Sequence, residues 1–229
     1  MKFDPHIHSI YSGDARSKPI DIIKQAMKLG LDAIAISDHD SIEGSKIAIE
    51  IAKKIDDFLV IPSIEISSTN GHILGLGVEN IIPKDLSPEE TIEKIHEEGG
   101  IAIITHPFSS YREGLFFKDK GSMAEIINSK GFSIEGVEVL NARYVFGYSN
   151  FKANKLANNY NLAKIGASDS HFIGSIGNCY TEIDDIDNEA TVDDVIEAIR
   201  NRKTIAKGDR TPLSLIAKEV FNKKIKRIY

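Results

Sequence analysis

Residues 31–40 read LDAIAISDHD. Leu31 to Ser37 is a short apolar run, the pattern of a buried strand. It stops at Asp38, His39 and Asp40, three residues that belong in water or on a cation. In α/β folds the chemistry gathers where the strands end, and this segment has that form. The form repeats along the chain. Phe3 to His8 is a short strand ending in His6-Ile7-His8, with Asp14 in the polar loop beyond. Phe58 to Ile66 is a third strand, interrupted by Glu65, and His72 to Leu76 a fourth. Ile101 to Thr105 ends at His106-Pro107. Ile134 to Leu140 carries Glu138, and Ala163 to Ala167 runs into Asp169-Ser170-His171.

Helical patterns separate these strands. Ser17 and Pro19 open a helix whose apolar face is Ile20, Ile23, Ala26 and Met27, with Gly30 as its stop. Ser41 opens a second, with Ile47, Ala48, Ile51, Ala52 and Ile55 at helical spacing. Ser87-Pro88-Glu89-Glu90 is a capping box with proline in the first turn, and its helix ends at Gly99-Gly100. Ser122-Met123-Ala124-Glu125 repeats the box before a short helix. A polar helix follows over Asn150 to Tyr160. Thr191 and Asp194 cap a helix running to Asn201, and the basic tail Phe221 to Tyr229 reads as a solvated helix end. Strands alternating with helices predict a mostly parallel sheet. Seven such units are too many for a small open sheet, so the expected architecture is an α/β, distorted (β/α)7 TIM-like barrel with residues 1–229 as one domain.

The composition narrows the function. With 41% hydrophobic and 27% charged residues, a sizeable core forms and general disorder is not expected. The net charge of −6 leaves no broad basic face, so duplex DNA binding is not expected. One cysteine, Cys179, rules out an intramolecular disulfide framework and a cysteine-rich zinc finger. No apolar leader or membrane span is visible, and a cytoplasmic protein is expected.

Six of the seven histidines, His6, His8, His39, His72, His106 and His171, lie where apolar runs begin or end. Neutral imidazole and carboxylate are the common ligands of zinc, manganese and iron. His6 and His8, two apart on a strand, face the same side. His39 reads as a ligand, with Asp38 or Asp40 fixing its tautomer. Glu65 within an apolar run is costly unless it binds cations, and one such carboxylate can bridge two. His96 and Cys179 read as structural or surface residues. Arg143 and Arg16 are the candidates for holding an anionic substrate. No Ser-His-Asp or Cys-His nucleophile pattern and no glycine-rich phosphate loop is present.

The ordered set resembles the polymerase and histidinol phosphatase (PHP) superfamily. It comprises His6-Ile7-His8, Ser37-Asp38-His39-Asp40 with Gly44, Glu65, His72, Thr105-His106-Pro107 and Gly166-Ala167-Ser168-Asp169-Ser170-His171. The resemblance spans residues 3 to 178. It implies a distorted seven-unit barrel and a trinuclear centre of divalent metals (manganese, iron or zinc). The ligands carried over are His6, His8, Asp14, His39, Glu65, His72, His106, Asp169 and His171. The implied reaction is hydrolysis of a phosphoester by metal-activated water held by Glu65, His39 and Asp169. The substrate is expected to be a small phosphorylated metabolite, a nucleotide or an oligonucleotide 5′ end. A histidinol-phosphate phosphatase is the alternative enzyme, and a non-catalytic metal-binding scaffold or subunit the alternative of another class. Stand-alone phosphoesterases of the superfamily carry a large insertion after the His-Pro strand. Here only about two dozen residues, Phe108 to Gly131, are available for a lid, the size of a long functional loop.

Overall fold

The computed structural model of the chain describes residues 1–109, 114–115, 133–144, 147–186 and 189–216. In chain order the elements are β1 (Lys2–Ile7), α1 (Pro19–Lys28), β2 (Ala33–Ile36), α2 (Glu43–Ala52), β3 (Leu59–Ile61), β4 (Ser63–Ser68), β5 (Gly71–Leu76) and α3 (Pro88–Glu97). They continue with β6 (Ile101–Ile104), β7 (Gly136–Asn141), α4 (Tyr148–Tyr160), β8 (Ala163–Ala167), β9 (Cys179–Ile183), α5 (Val192–Arg200) and β10 (Thr204–Gly208). The capping boxes at Ser87/Glu90 and Thr191/Asp194 form as read. Ser17 and Ser41 do not cap: Lys18 and Ile42 occupy the N-cap positions of α1 and α2, without side-chain caps. The box at Ser122 and the basic tail lie outside the described residues.

The ladders make two five-stranded sheets, ordered β10-β9-β1-β2-β3 and β4-β5-β6-β7-β8, in place of the closed seven-unit barrel expected. Two physical causes are visible. Pro62 has no N–H to give a ladder, and it splits the expected strand Phe58 to Ile66 into β3 and β4, which enter different sheets. A tight reversal at Thr69-Asn70 also turns β5 antiparallel to β4; β5 and β6 pair antiparallel across α3, β9 and β10 across α5, and β1 pairs antiparallel with β9. The parallel runs are β1-β2-β3 and β6-β7-β8. Where β1 and β2 end, single bridges tie the sheets together, Ile7 to Ser170 and His39 to Glu65.

Side-chain parity then sorts chemistry from core. Ala33 and Ala35 of β2, Leu74 and Leu76 of β5, Ile101 and Ile103 of β6, and Ala163 and Ile165 of β8 face one interior. Val195, Ile196 and Ile199 of α5 join that cluster and close its amino end. Their neighbours of opposite parity pack outward: Ile34 and Ile36 against Ile22 and Ile23 of α1, Ile64, Ile66 and Ile73 against Ile92 and Ile95 of α3. Continuing the inward parity beyond each apolar floor reaches His39, His72, Thr105 and Asp169. Phe3 and His6 have opposite parity, and an irregularity between Asp4 and Ile7 brings both to the interior.

α2 sits tightly under this top. A Cβ on Gly44 would overlap Asp38 Oδ2 and Ser9 Oγ, which are hydrogen-bonded to each other at 2.6 Å. Gly44→Ala should therefore destabilise the fold, by about 1–3 kcal/mol as overpacking does, despite alanine's higher helix propensity. Urea unfolding measures this; an unchanged midpoint would show that α2 can shift at no cost.

Candidate metal centre

Glu65 projects from β4 into the interior and has no exposed surface. Its Oε2 lies 3.2 Å from His6 Nε2, 3.3 Å from His8 Nε2 and 3.1 Å from His39 Nδ1. Its Oε1 lies 3.0 Å from His106 Nε2 and 3.3 Å from His72 Nδ1, and accepts a hydrogen bond from Thr105 Oγ1 at 3.1 Å. Five histidines thus converge on one carboxylate. On the far side, His171 Nε2 meets Asp14 Oδ2 at 2.7 Å, and Asp169 Oδ1 lies 3.7 Å from His8 Nε2.

The nine ligand candidates read from the sequence therefore come together. Three groups have ligand atoms within 4.8 Å of one another: His8, Asp14, His39 and His171; His6, His8 and Asp169; and His39, Glu65 and His72. His106 joins through Glu65.

The placement of protons tests whether this set suits cations. Glu138 Oε1 accepts from His6 Nδ1 at 2.6 Å, so the proton of a neutral His6 sits on Nδ1. Ser12 Oγ lies 3.0 Å from His8 Nδ1 and donates to Asp14 Oδ1 at 2.8 Å, so it accepts the His8 Nδ1 proton. The two Nε2 atoms, only 3.0 Å apart, are then both lone pairs turned toward Glu65. Acceptors facing acceptors in a buried site repel unless a cation lies among them. The donor set fits divalent metals.

The electrostatics agree. Burial disfavours a charged His6, yet Glu65, Glu138 and Asp169 hold its pKa well above the imidazole range, so a proton can stand in for a metal there. Burial, with the positive potential of His171, His6 and His39, pushes His8 well below that range. Burial opposes ionisation of Glu65, but His6, His39, His72 and the hydrogen bond from His106 keep it ionised, its pKa well below the usual carboxylate value.

The backbone is bent to make this convergence. His106 and Asp169 adopt positive φ, 27° and 49°, just after β6 and β8, and Asp40 does so at 48°. Such conformations cost about 1–3 kcal/mol each and persist where their surroundings fix them.

Two assignments change. Neither Asp38 nor Asp40 sets the His39 tautomer. Asp38 accepts from Ser9 N and Ser9 Oγ, both at 2.6 Å, and so moors the loop after β1. Asp40 accepts from Ser67 N at 2.8 Å and Ser67 Oγ at 2.9 Å, fixing β4 beside β2. Arg16 also moves. It lines a groove beside α1, while Arg143 stands in the site, its Nη1 2.7 Å from His171 Nδ1 and 3.6 Å from Asp169 Oδ1. His96 pairs with Glu135 on α3's flank, and Cys179 is buried in β9.

Glu138 is the functional residue to which the sequence reading gave no role. Fully buried, it also accepts from His106 N and from Asn141 Nδ2, both at 2.8 Å, while Asn141 reaches Asp169 Oδ2 at 3.1 Å. Its signal was the one that marked Glu65, a carboxylate inside an apolar strand. Glu138→Gln should lower divalent-metal affinity about 10–100-fold, the usual cost of losing a carboxylate partner behind a histidine ligand. Calorimetric titration with manganese or zinc reads this; wild-type affinity would make Glu138 a packing residue.

Relatives bear on this geometry. A family model described as PHP-associated matches residues 147–204. An uncharacterized protein of Methanocaldococcus jannaschii is 38% identical over 169 residues, covering 68% of this chain and 91% of that protein. The 5′-3′ exoribonuclease of Haemophilus influenzae is 31% identical over 106 residues, 44% of this chain and 38% of the exoribonuclease. Among solved structures, a two-domain protein of Bacteroides vulgatus containing a predicted PHP-like metal-dependent phosphoesterase superposes with a TM-score of 0.72 at 21% identity, over 91% of this chain. This chain spans 65% of that protein's length. Buried strands ending in histidine and carboxylate, a PHP-associated segment running from α4 to β10 and a fold shared with a PHP-like protein converge: the chain belongs to the polymerase and histidinol phosphatase superfamily.

Proposed function

We propose that this protein is a metal-dependent phosphoesterase, residues 1–229 forming one PHP-type domain. His6, His8, Asp14, His39, Glu65, His72, His106, Asp169 and His171 would hold up to three divalent ions of manganese, iron or zinc. The observation that carries the proposal is the facing pair of His6 and His8 Nε2 lone pairs beside the buried Glu65 carboxylate. Bound there, such ions lower the pKa of water, orient it and neutralise charge on the phosphoryl oxygens.

The chain's own groups do the rest. Glu138 and Ser12 keep the His6 and His8 protons on Nδ1 and leave Nε2 as donor of a lone pair. Glu65, within reach of five histidines, fixes their spacing. Among the described residues the site is most open at His39 and Asp14, whose side chains are 26% and 40% exposed, while those of His6, His8, Glu65 and His106 are at most 2%. A phosphoester entering past Asp14 and His39 meets Arg143 near His171, where a guanidinium fork suits two phosphoryl oxygens. In the reaction, water oxygen bonds to phosphorus, the ester P–O bond breaks and the departing alkoxide takes up a proton. Substrates of the proposed class are small phosphorylated molecules or nucleic-acid ends, in keeping with the exoribonuclease relative and with a net charge of −6 that disfavours long duplexes. Among the described residues no helix is long and apolar enough to cross a membrane. A single cysteine, buried and unpaired, suits a cytoplasmic setting, which is part of the proposal.

The metal-loaded protein should hydrolyse at least one member of a panel of phosphomonoesters, nucleotides and short oligonucleotides. Arg143→Ala should raise KM for that substrate without changing metal content. Lack of turnover across the panel with full metal occupancy would favour a binding protein over an enzyme. Unchanged kinetics in the variant would remove Arg143 from the substrate site.

A further inference from the structure

Beside the exposed edge of the metal centre lies a groove of about 430 Å³ along α1. Arg16, Ser17, Lys24, Lys28 and Ile173 line it. Its link to the centre is short. Asp14 and His171, 2.7 Å apart, form the exposed edge of the cluster, and two residues beyond each of them stand Arg16 and Ile173. The groove thus lies next to the edge by which a substrate would leave the metals.

Its charge departs from that of the molecule. The chain carries −6 overall, yet three cations face this groove against one carboxylate, Asp21. Lys24 and Lys28 are exposed and, among the described residues, take part in no ion pair. They lie one helical turn apart on the same face of α1, about 6 Å along its axis. On α1 the lining runs from Asp21 to Lys28, about 10 Å at 1.5 Å per residue, and Arg16 and Ser17 extend it beyond the helix start. That is longer than a small phosphorylated molecule needs. It suits an extended chain of phosphodiesters, whose backbone a positive groove tracks without reading bases. Ile173, 39% exposed, supplies an apolar wall.

We infer that the groove along α1 is a backbone-tracking site for a single-stranded oligonucleotide whose terminal phosphoester lies at the metal centre, with Arg16, Lys24 and Lys28 contacting successive phosphates. This rests on the phosphoesterase reading and names its substrate class.

The test is binding, measured apart from turnover. Fluorescence anisotropy would follow single-stranded phosphorothioate oligonucleotides, from dinucleotide to octanucleotide, on the metal-loaded protein and on Lys24→Ala/Lys28→Ala. Both lysines are exposed on a helix and alanine favours helix, so the variant should fold; circular dichroism checks this. Wild-type affinity should rise with length. In the double variant the slope of log affinity against log salt should shrink by about 1.4, at about 0.7 for each single-strand phosphate that a lysine no longer neutralises. An octanucleotide held no better than a dinucleotide would overturn the inference, as would a double variant with the wild-type slope. A nucleoside bisphosphate binding as tightly as the octanucleotide would also overturn it. If no ester is hydrolysed but length-dependent, lysine-sensitive binding persists, the phosphoesterase reading fails and the groove stands. If esters are hydrolysed without length dependence, the groove fails alone.

Discussion

Glu65 is a carboxylate with no exposed surface, held in the interior between two sheets and ringed by the nitrogens of five histidines. An isolated buried carboxylate costs several kcal/mol in lost hydration, so the fold must supply positive charge around it. Protons on the histidines can do this in part, and the raised pKa of His6 shows where the first would go. The Nδ1 atoms of His6 and His8 are already committed to Glu138 and Ser12, which turns their other nitrogens inward as lone pairs. Much of the local architecture follows from meeting this demand. It accounts for positive φ at His106 and Asp169, for the Glu138–Asn141–Asp169 chain of hydrogen bonds, and for the Asp38–Ser9 and Asp40–Ser67 moorings.

The nine clustered residues were legible in the sequence because each interrupts, ends or closely follows an apolar run, where a charge without a partner is expensive. Glu138 gave the same signal in β7, but it has no histidine beside it in sequence, and its partner His6 is 132 residues away. Asp38 and Asp40 were visible, though their partners were not: both turn away from the adjacent His39 toward serines on other segments. Sequence neighbours at the end of a strand point in different directions, so adjacency misassigned them.

The fold was legible in its elements and less so in its connections. Strand–helix alternation located β1, β2, β6, β7 and β8 and the helices between them. Pro62 was passed over inside an apolar run, so the break that sends β3 and β4 into separate sheets was missed. β9 and β10 were missed too. β9, CYTEI, alternates buried and half-buried positions over only five residues, and β10, TIAKG, is largely exposed at a sheet edge. Neither presents the continuous apolar pattern that marks a central strand. Arg16 shows the same limit on the functional side. Its sequence position near Asp14 was informative, but the groove it lines depends on how α1 packs beside the loop that follows β8.

Glu65 as the common partner of the metal ions is the central claim, and elemental analysis after reconstitution with manganese, iron or zinc tests it most directly. Nine candidate ligands are too many for a single tetrahedral ion, so the wild-type protein should retain more than one equivalent, up to three. Glu65→Ala should lose more than one ion relative to wild type while remaining folded by circular dichroism. A wild-type protein that retains no more than one equivalent, or a Glu65→Ala variant with full occupancy, would contradict it.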